Sequence, residues 1–205
     1  MNKKLVKKFR QIKSNIKDAI KKRTAKVCVG PSTIRVFPKK SVSKIKKALL
    51  RVDVNRMSRI KNQDSFKTWF ESELTTVTKS IPKVITKVIR SKKKNVKSKK
   101  KNIELRKARR WGYGAKILNM YLRDIVLHNH YFTDARVVER IKYYLYVPLD
   151  SKVINKLKKL DVHLDFSKIK EIDDENKFYN VQDELGVAAK NAGAPRVWFD
   201  YIWSE

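Results

Sequence analysis

Cysteine is nearly absent, with Cys28 the one thiol in 205 residues, so no intrachain disulfide can form. That fits a reducing interior, and a solitary Cys28 reads as a small buried hydrophobe. Histidine is almost as scarce. His128 and His130 stand two apart and His163 is remote, which gives no metal-ligand spacing, and no second cysteine completes a CxxC. Neither a Walker loop, a GxSxG nor an HExxH occurs. No apolar run approaches the roughly 18–20 residues of a membrane span. Residues 1–23 also lack the continuous apolar stretch of a secretory signal. Together these absences lead us to expect an intracellular protein, cytoplasmic or nucleoid-associated, with no transmembrane segment, metal or cofactor.

Acidic residues are also missing, but only from one half. Residues 1–110 contain 37 Lys/Arg against 6 Asp/Glu, which accounts for the entire net charge of +31, whereas residues 111–205 hold 14 of each. An imbalance confined to one half implies a polyanionic partner for that half and an ordinary surface for the other. Nucleic acid and an acidic membrane surface are the candidates. Leu5, Val6, Phe9, Ile12, Ile16, Ala19 and Ile20 give the helix over 3–23 an apolar stripe, which either docks on the protein's own core or lies on lipid. The basic excess runs on far beyond this helix, through Lys39, Lys40, Lys44, Lys46 and Lys47 to Arg110. A single membrane anchor does not require that, so nucleic acid is the favoured partner.

What is present is helical patterning. The apolar fraction of 41% is enough to build a core. Beyond the first helix, a helix from Ser41 or Ser43 to Arg51 is expected, and a stronger one from Asp64 carrying Phe66, Trp69, Phe70 and Leu74. Before these two helices, between Pro31 and Pro38, Thr33–Phe37 favours a short strand. Ser80 and Pro82 suggest a short helix bearing Val84, Ile85, Val88 and Ile89. The run at 91–101, SKKKNVKSKKK, cannot bury a core and reads as a solvated linker. It divides a basic region, 1–100, from a helical domain, 101–205. In the latter we expect helices over 103–110, 115–127, 134–146 (capped by Thr133), 152–160 (capped by Asp150 or Ser151) and 175–192. A terminal helix packing Trp198, Phe199, Ile202 and Trp203 closes the chain. Trp111–Gly114 breaks the pattern, and Gly193 with Pro195 ends the long helix. The acidic cluster Glu171, Asp173, Asp174 and Glu175 reads as a helix N-terminus. The fold class is therefore mainly α, a helical bundle with a very basic N-terminal half.

One constellation points to chemistry. Gly112-Tyr113-Gly114-Ala115-Lys116 opens an apolar helix after a basic one, and Val147-Pro148-Leu149-Asp150 precedes a later helix. This pair of motifs resembles the helix-hairpin-helix base-excision DNA glycosylases, over roughly residues 103–160. The 34-residue separation of Lys116 and Asp150 is closest to the archaeal 8-oxoguanine glycosylase branch. Arg110-Trp111 stands where the family has Leu-Pro. The resemblance implies a hairpin at Gly112 and Gly114 approaching a DNA phosphate, Lys116 as amine nucleophile and Asp150 as its catalytic partner. A flipped base would stack on Trp111, Tyr113 or Tyr144. Phosphate contacts are expected from Lys92, Lys93, Lys94, Lys97, Lys99, Lys100, Lys101, Arg106, Arg109 and Arg110, which are dense and flank the hairpin. Only the resemblance tilts the partner towards DNA rather than RNA.

Read without the resemblance, the same residues are a turn between two helices, a helix stop and an Asp cap. Three functions follow: a glycosylase-like enzyme, a non-catalytic DNA- or RNA-binding module, or a peripheral protein of anionic membranes. The first requires Lys116 and Asp150 to converge in a cleft. The second expects Lys116 exposed or paired elsewhere, and the third expects residues 3–23 free of the core.

Overall fold

The computed structural model describes residues 3–30, 37–89, 99–105, 107–128, 130–160, 162, 164, 166–168, 171–172 and 174–204; the side chains of 3–14, 39, 85–89, 99–103, 107–109 and 202–204 lie outside the description. Helix α1 spans Lys3–Cys28. It meets the core through its C-terminal part, where Ala25 and Cys28 are buried and Ile20 packs against them. Ile16 is exposed. Thr24, also buried, satisfies its hydroxyl within the helix by donating to the Ile20 carbonyl at 2.9 Å. Helix α2, Lys39–Arg51, buries Ile45, Ala48 and Leu49 and turns Lys40, Lys44, Lys47 and Arg51 to solvent. This is the two-faced pattern that 3.6-residue periodicity dictates.

A 3-10 turn at Val54–Arg59 leads into α3, Gln63–Ser80. Asn62, rather than Asp64, is its N-cap: the Asn62 side chain accepts from the Ser65 amide at 2.8 Å. Asp64 instead lies in the first turn, where a carboxylate suits the helix dipole. Phe66, Trp69, Phe70, Leu74 and Val77 are buried, as the spacing predicts.

The segment after α3 departs from expectation. Val84–Ile89 is a strand, β1, paired antiparallel with β2, Lys99–Glu104, with Val84 opposite Glu104 and Ile89 opposite Lys99. Five of the six β1 residues are β-branched (Lys87 is the exception). They lose side-chain freedom in a helix but fit a pleated ribbon, and a partner strand satisfies their backbone groups. The C-terminal end of the lysine run is thus strand and not linker, while its residues 91–98 lie outside the described residues, as does most of the strand expected at 33–37.

Helix α4 runs unbroken from Lys107 to Arg123, through Trp111–Gly114, where a break was expected, and passes into a π-turn at Asp124–His128. Gly193, at φ +65°, is the one described glycine in the left-handed region. Gly114 is instead a point of close helix approach. A Cβ there would lie 2.5 Å from Thr78 Oγ1 and 3.2 Å from Leu74 Cδ1, so the glycine lets α4 cross closely over α3.

Three short-range caps then follow. Asp134 caps α5, Ala135–Lys142, where Thr133 was expected to; Asp150 caps α6, Ser151–Lys159; and Asp174 caps α7, Glu175–Asn191. The chain closes in a 3-10 segment, Arg196–Ser204, in place of the expected α-helix, and Trp198, expected in the core, is 47% exposed. One hydrophobic cluster draws on both sides of residue 100, from Ala25 to Val197. At its centre Phe66, Phe70, Tyr146 and Phe178 pack with ring centroids 5.1–6.4 Å apart. The chain is mainly helical, a bundle carrying one β-hairpin. Among the described residues no helix is long and apolar enough to cross a membrane.

Candidate functional site

Lys116 and Asp150, 34 residues apart, meet. Lys116 sits on α4 two residues beyond Gly114, and its Nζ lies 3.6 Å from Asp150 Oδ2, with 18% and 34% of the side chains exposed. Asp150 divides its carboxylate between two tasks. Oδ1 accepts from the Lys152 and Val153 amides at 2.9 and 3.0 Å, capping α6, and Oδ2 faces the ammonium. The Val147-Pro148-Leu149 stretch that delivers Asp150 is buried. It is held by Gln182, which accepts from the Val147 amide at 2.9 Å and donates to its carbonyl at 2.8 Å.

The other half of the motif has a different geometry. Gly112 and Gly114 are buried inside a continuous helix, so their amides are part of its hydrogen-bond ladder and do not form a hairpin turn. The three aromatic candidates are half-buried and engaged. Trp111 meets Phe178 and Tyr179 edge-on at 5.3 and 6.3 Å. Tyr113 meets Phe37 at 5.3 Å. Tyr144 packs near Phe66, and its hydroxyl donates to the Lys61 carbonyl at 2.6 Å.

Of the expected phosphate contacts, Arg110 is half-buried and donates from Nη2 to the Thr78 carbonyl at 3.3 Å. Lys99, Lys100 and Lys101 are on β2 and Arg109 is on α4, with side chains outside the description; Lys92, Lys93, Lys94, Lys97 and Arg106 lie outside the described residues. The register sets Lys87 opposite Lys101. Described basic side chains missing from that expectation, among them Lys17, Lys22, Arg23, Lys26, Lys40, Lys44 and Lys47, are exposed on α1 and α2. Among the described side chains no Lys or Arg of 1–110 lies within ion-pair distance of a carboxylate, although Asp18, Asp53 and Glu73 act electrostatically on Lys21; the pairs present use Lys116, Arg123, His128, Arg136 and Lys142.

A polar cluster that the sequence did not announce lies where α1 meets the π-turn. Asp124 accepts from the Cys28 thiol at 3.5 Å, from Arg123 Nε at 2.8 Å, and faces His128 Nδ1 at 3.3 Å. His128 Nε2 in turn meets the Tyr201 hydroxyl at 2.6 Å, and Arg123 also pairs with Asp200. Burial, and secondarily the adjacent Asp124 carboxylate, push the Cys28 thiol well above its usual range, so it is held neutral and is not a nucleophile. These residues lie 95 to 173 positions from Cys28, and the packing of α1, the π-turn and the C-terminal 3-10 segment brings them together. In the acidic cluster, Asp174 caps α7 and Glu171 accepts from the Ser167 amide and hydroxyl at 2.8 and 2.9 Å; Asp173 lies outside the described residues.

Buried Arg196 is a second such hub. Its guanidinium donates to the carbonyls of Leu145, Gln182 and Tyr144 at 3.0–3.1 Å and stacks on the Tyr146 ring at 4.4 Å. Burial lowers its pKa. It ties the C-terminal segment to the strand-like stretch before Asp150.

In comparisons with known proteins, no family model, no curated protein and no solved structure matches the chain.

Proposed function

We propose that the chain is a nucleic-acid-binding protein whose basic half holds the phosphate backbone. The carrying observation is a net +31 confined to residues 1–110, with Lys17, Lys22, Arg23, Lys26, Lys40, Lys44 and Lys47 exposed on α1 and α2. A protein does not gather this much like charge for its own stability, because self-repulsion disfavours the compact state. Phosphates relieve that repulsion, and the released counterions supply affinity without sequence reading. The exposed lysines of α1 and α2 are the described part of the surface for it. DNA and RNA both meet this chemistry. A lipid-surface role would need residues 3–23 to be free of the core; within that stretch Ile20 packs against the core, Ile16 is exposed, and the side chains of 3–14 lie outside the description.

The test is fluorescence anisotropy with labelled single- and double-stranded DNA and RNA as salt rises. Between about 50 and 200 mM salt the affinity is expected to fall by about a thousandfold or more. Absence of binding, or binding indifferent to salt, overturns the proposal.

A second reading rests on one specific contact, the 3.6 Å approach of Lys116 to Asp150. It assigns Lys116 as an amine nucleophile on a sugar C1′ and Asp150 as its carboxylate partner, the chemistry of the base-excision glycosylases. Against it stand the continuous helix at Gly112 and Gly114 and the use of Asp150 as a helix cap, which by themselves account for the motif. Borohydride trapping on DNA carrying 8-oxoguanine, uracil or an abasic site, with Lys116→Ala as control, separates the readings. An adduct lost in the control establishes the chemistry; no adduct leaves a non-catalytic binding module.

A further inference from the structure

The aromatic side chains best placed to meet a ligand are not those in the Gly-Tyr-Gly motif. A cleft of about 540 Å³ lies between the π-turn, α5 and the C-terminal 3-10 segment, lined by Leu127, Val138, Glu139, Lys142, Trp198 and Tyr201. Trp198 and Tyr201 are 47% and 44% exposed. They stand three residues apart on a 3-10 helix, where side chains at that spacing eclipse, so both rings share one wall. From the facing helix, Lys142 Nζ lies 5.4 Å from the Trp198 ring centroid. Its ion pair with Glu139 at 2.5 Å offsets the one carboxylate in the lining. Tyr201 is held in place through its hydroxyl by His128, which is held by Asp124.

We infer that this cleft takes unpaired nucleobases, stacked on Trp198 and Tyr201, while the basic helices hold the phosphates of the same strand. The inference rests on the proposed nucleic-acid reading and adds its base-binding surface. Two large amphipathic rings kept in water, backed by apolar Leu127 and Val138 and accompanied by a cation, form a platform suited to any base, because every base presents a π-face. An acidic or purely apolar occupant has less to recommend it. Continuity with the basic half supports a strand. The π-turn that supplies Leu127 and His128 packs against α1, where Cys28 meets Asp124 and the Lys17 ammonium lies 5.3 Å from the Tyr131 ring centroid. α1 and the cleft thus share the π-turn as a common neighbour.

The test compares a labelled oligothymidylate with a chain of the same length built from abasic sugar-phosphates, by anisotropy at one fixed salt concentration, using the full chain. Wild type is expected to bind the thymidylate about tenfold or more tightly than the abasic chain, in line with stacking on aromatic side chains. Trp198→Ala should erase that preference and Trp198→Phe should restore most of it, with thermal unfolding showing that both variants fold. Equal binding of both oligomers overturns the base cleft and leaves phosphate binding standing. Loss of both overturns the nucleic-acid reading itself. Should Trp198→Ala leave both affinities unchanged yet turn a dimer into a monomer in sedimentation, the cleft is a protein interface and the inference fails.

Discussion

Replacing Gly114 with alanine would place a methyl group 2.5 Å from Thr78 Oγ1, 3.2 Å from Leu74 Cδ1 and 3.4 Å from Thr78 Cα. Overpacking at a helix crossing costs about 2–3 kcal/mol. Alanine is favoured over glycine in a helix interior by about 1 kcal/mol, which leaves a net loss of about 1–2 kcal/mol. Removing the atom it strikes should reverse the sign. Thr78 Oγ1 is buried without a hydrogen-bond partner among the described residues, so Thr78→Ala is itself close to neutral. In that background Gly114→Ala should stabilise by up to about 1 kcal/mol, a coupling of up to about 2–3 kcal/mol in the double-mutant cycle. Urea unfolding of the four proteins measures it. A glycine required for a hairpin with positive φ would behave differently, because the strain of a Cβ there does not depend on Thr78. Equal destabilisation in both backgrounds would refute the helix-crossing role and return Gly112–Gly114 to a turn.

Asp150→Asn keeps the acceptor that caps α6 and removes the charge facing Lys116, so thermal unfolding should barely change; Asp150→Ala should cost about 1 kcal/mol. If Lys116 forms a trapped adduct, Asp150→Asn should suppress it while the fold persists. Arg196→Met removes three guanidinium hydrogen bonds in the core, although the Tyr144 carbonyl keeps Gln63 as a donor and Gln182 lies within α7, and should cost about 2–3 kcal/mol by denaturant titration. Native Cys28 should resist a thiol reagent at pH 8 and react once the chain is unfolded in urea. Alkali should destabilise the protein. Burial raises the folded-state pKa of Cys28 above its ordinary 9.0 and that of Tyr146 from 10.0 to about 12, so both stay neutral in the fold while ionising in the unfolded chain. Their contribution is complete below those ordinary values and is lost as pH rises through 9 and then 10, which an unfolding series from pH 7 to 11 should show as a falling midpoint. A flat profile would show that these groups are solvated.

Much of the bundle follows from local rules. The apolar rows of α2 and α3, the aspartate cap of α6 and the glycine stop after α7 depend on neighbours within one or two turns, and spacing alone reports such neighbours. The charge division at residue 110 is likewise a property of composition. Val84–Ile89 was not legible in the same way. Its apolar positions suit a helix face or a strand, and the choice fell to pairing with a segment ten residues further on, which offers hydrogen bonds that no local pattern encodes.

The same distinction governs the candidate sites. Two glycines two apart read as a turn, because glycine's local preference is for turns; both lie inside α4 instead, and at Gly114 the missing Cβ allows the tight crossing over Thr78. Trp198 reads as core from its hydrophobicity, but its exposure depends on how Arg196 pins the C-terminal segment to carbonyls 14 to 52 residues away. Lys116 and Asp150 were nameable in the sequence, although their 3.6 Å contact was not. Thus the sequence by itself determined the apolar rows of α2 and α3, the Asp150 cap and the confinement of the net charge to residues 1–110, which are set by short-range periodicity and summed charge. The tertiary structure alone decided the hairpin, the unbroken α4, the Asp124 cluster and the Trp198–Tyr201 cleft, because each is made of groups distant in the chain whose meeting depends on how the whole core packs.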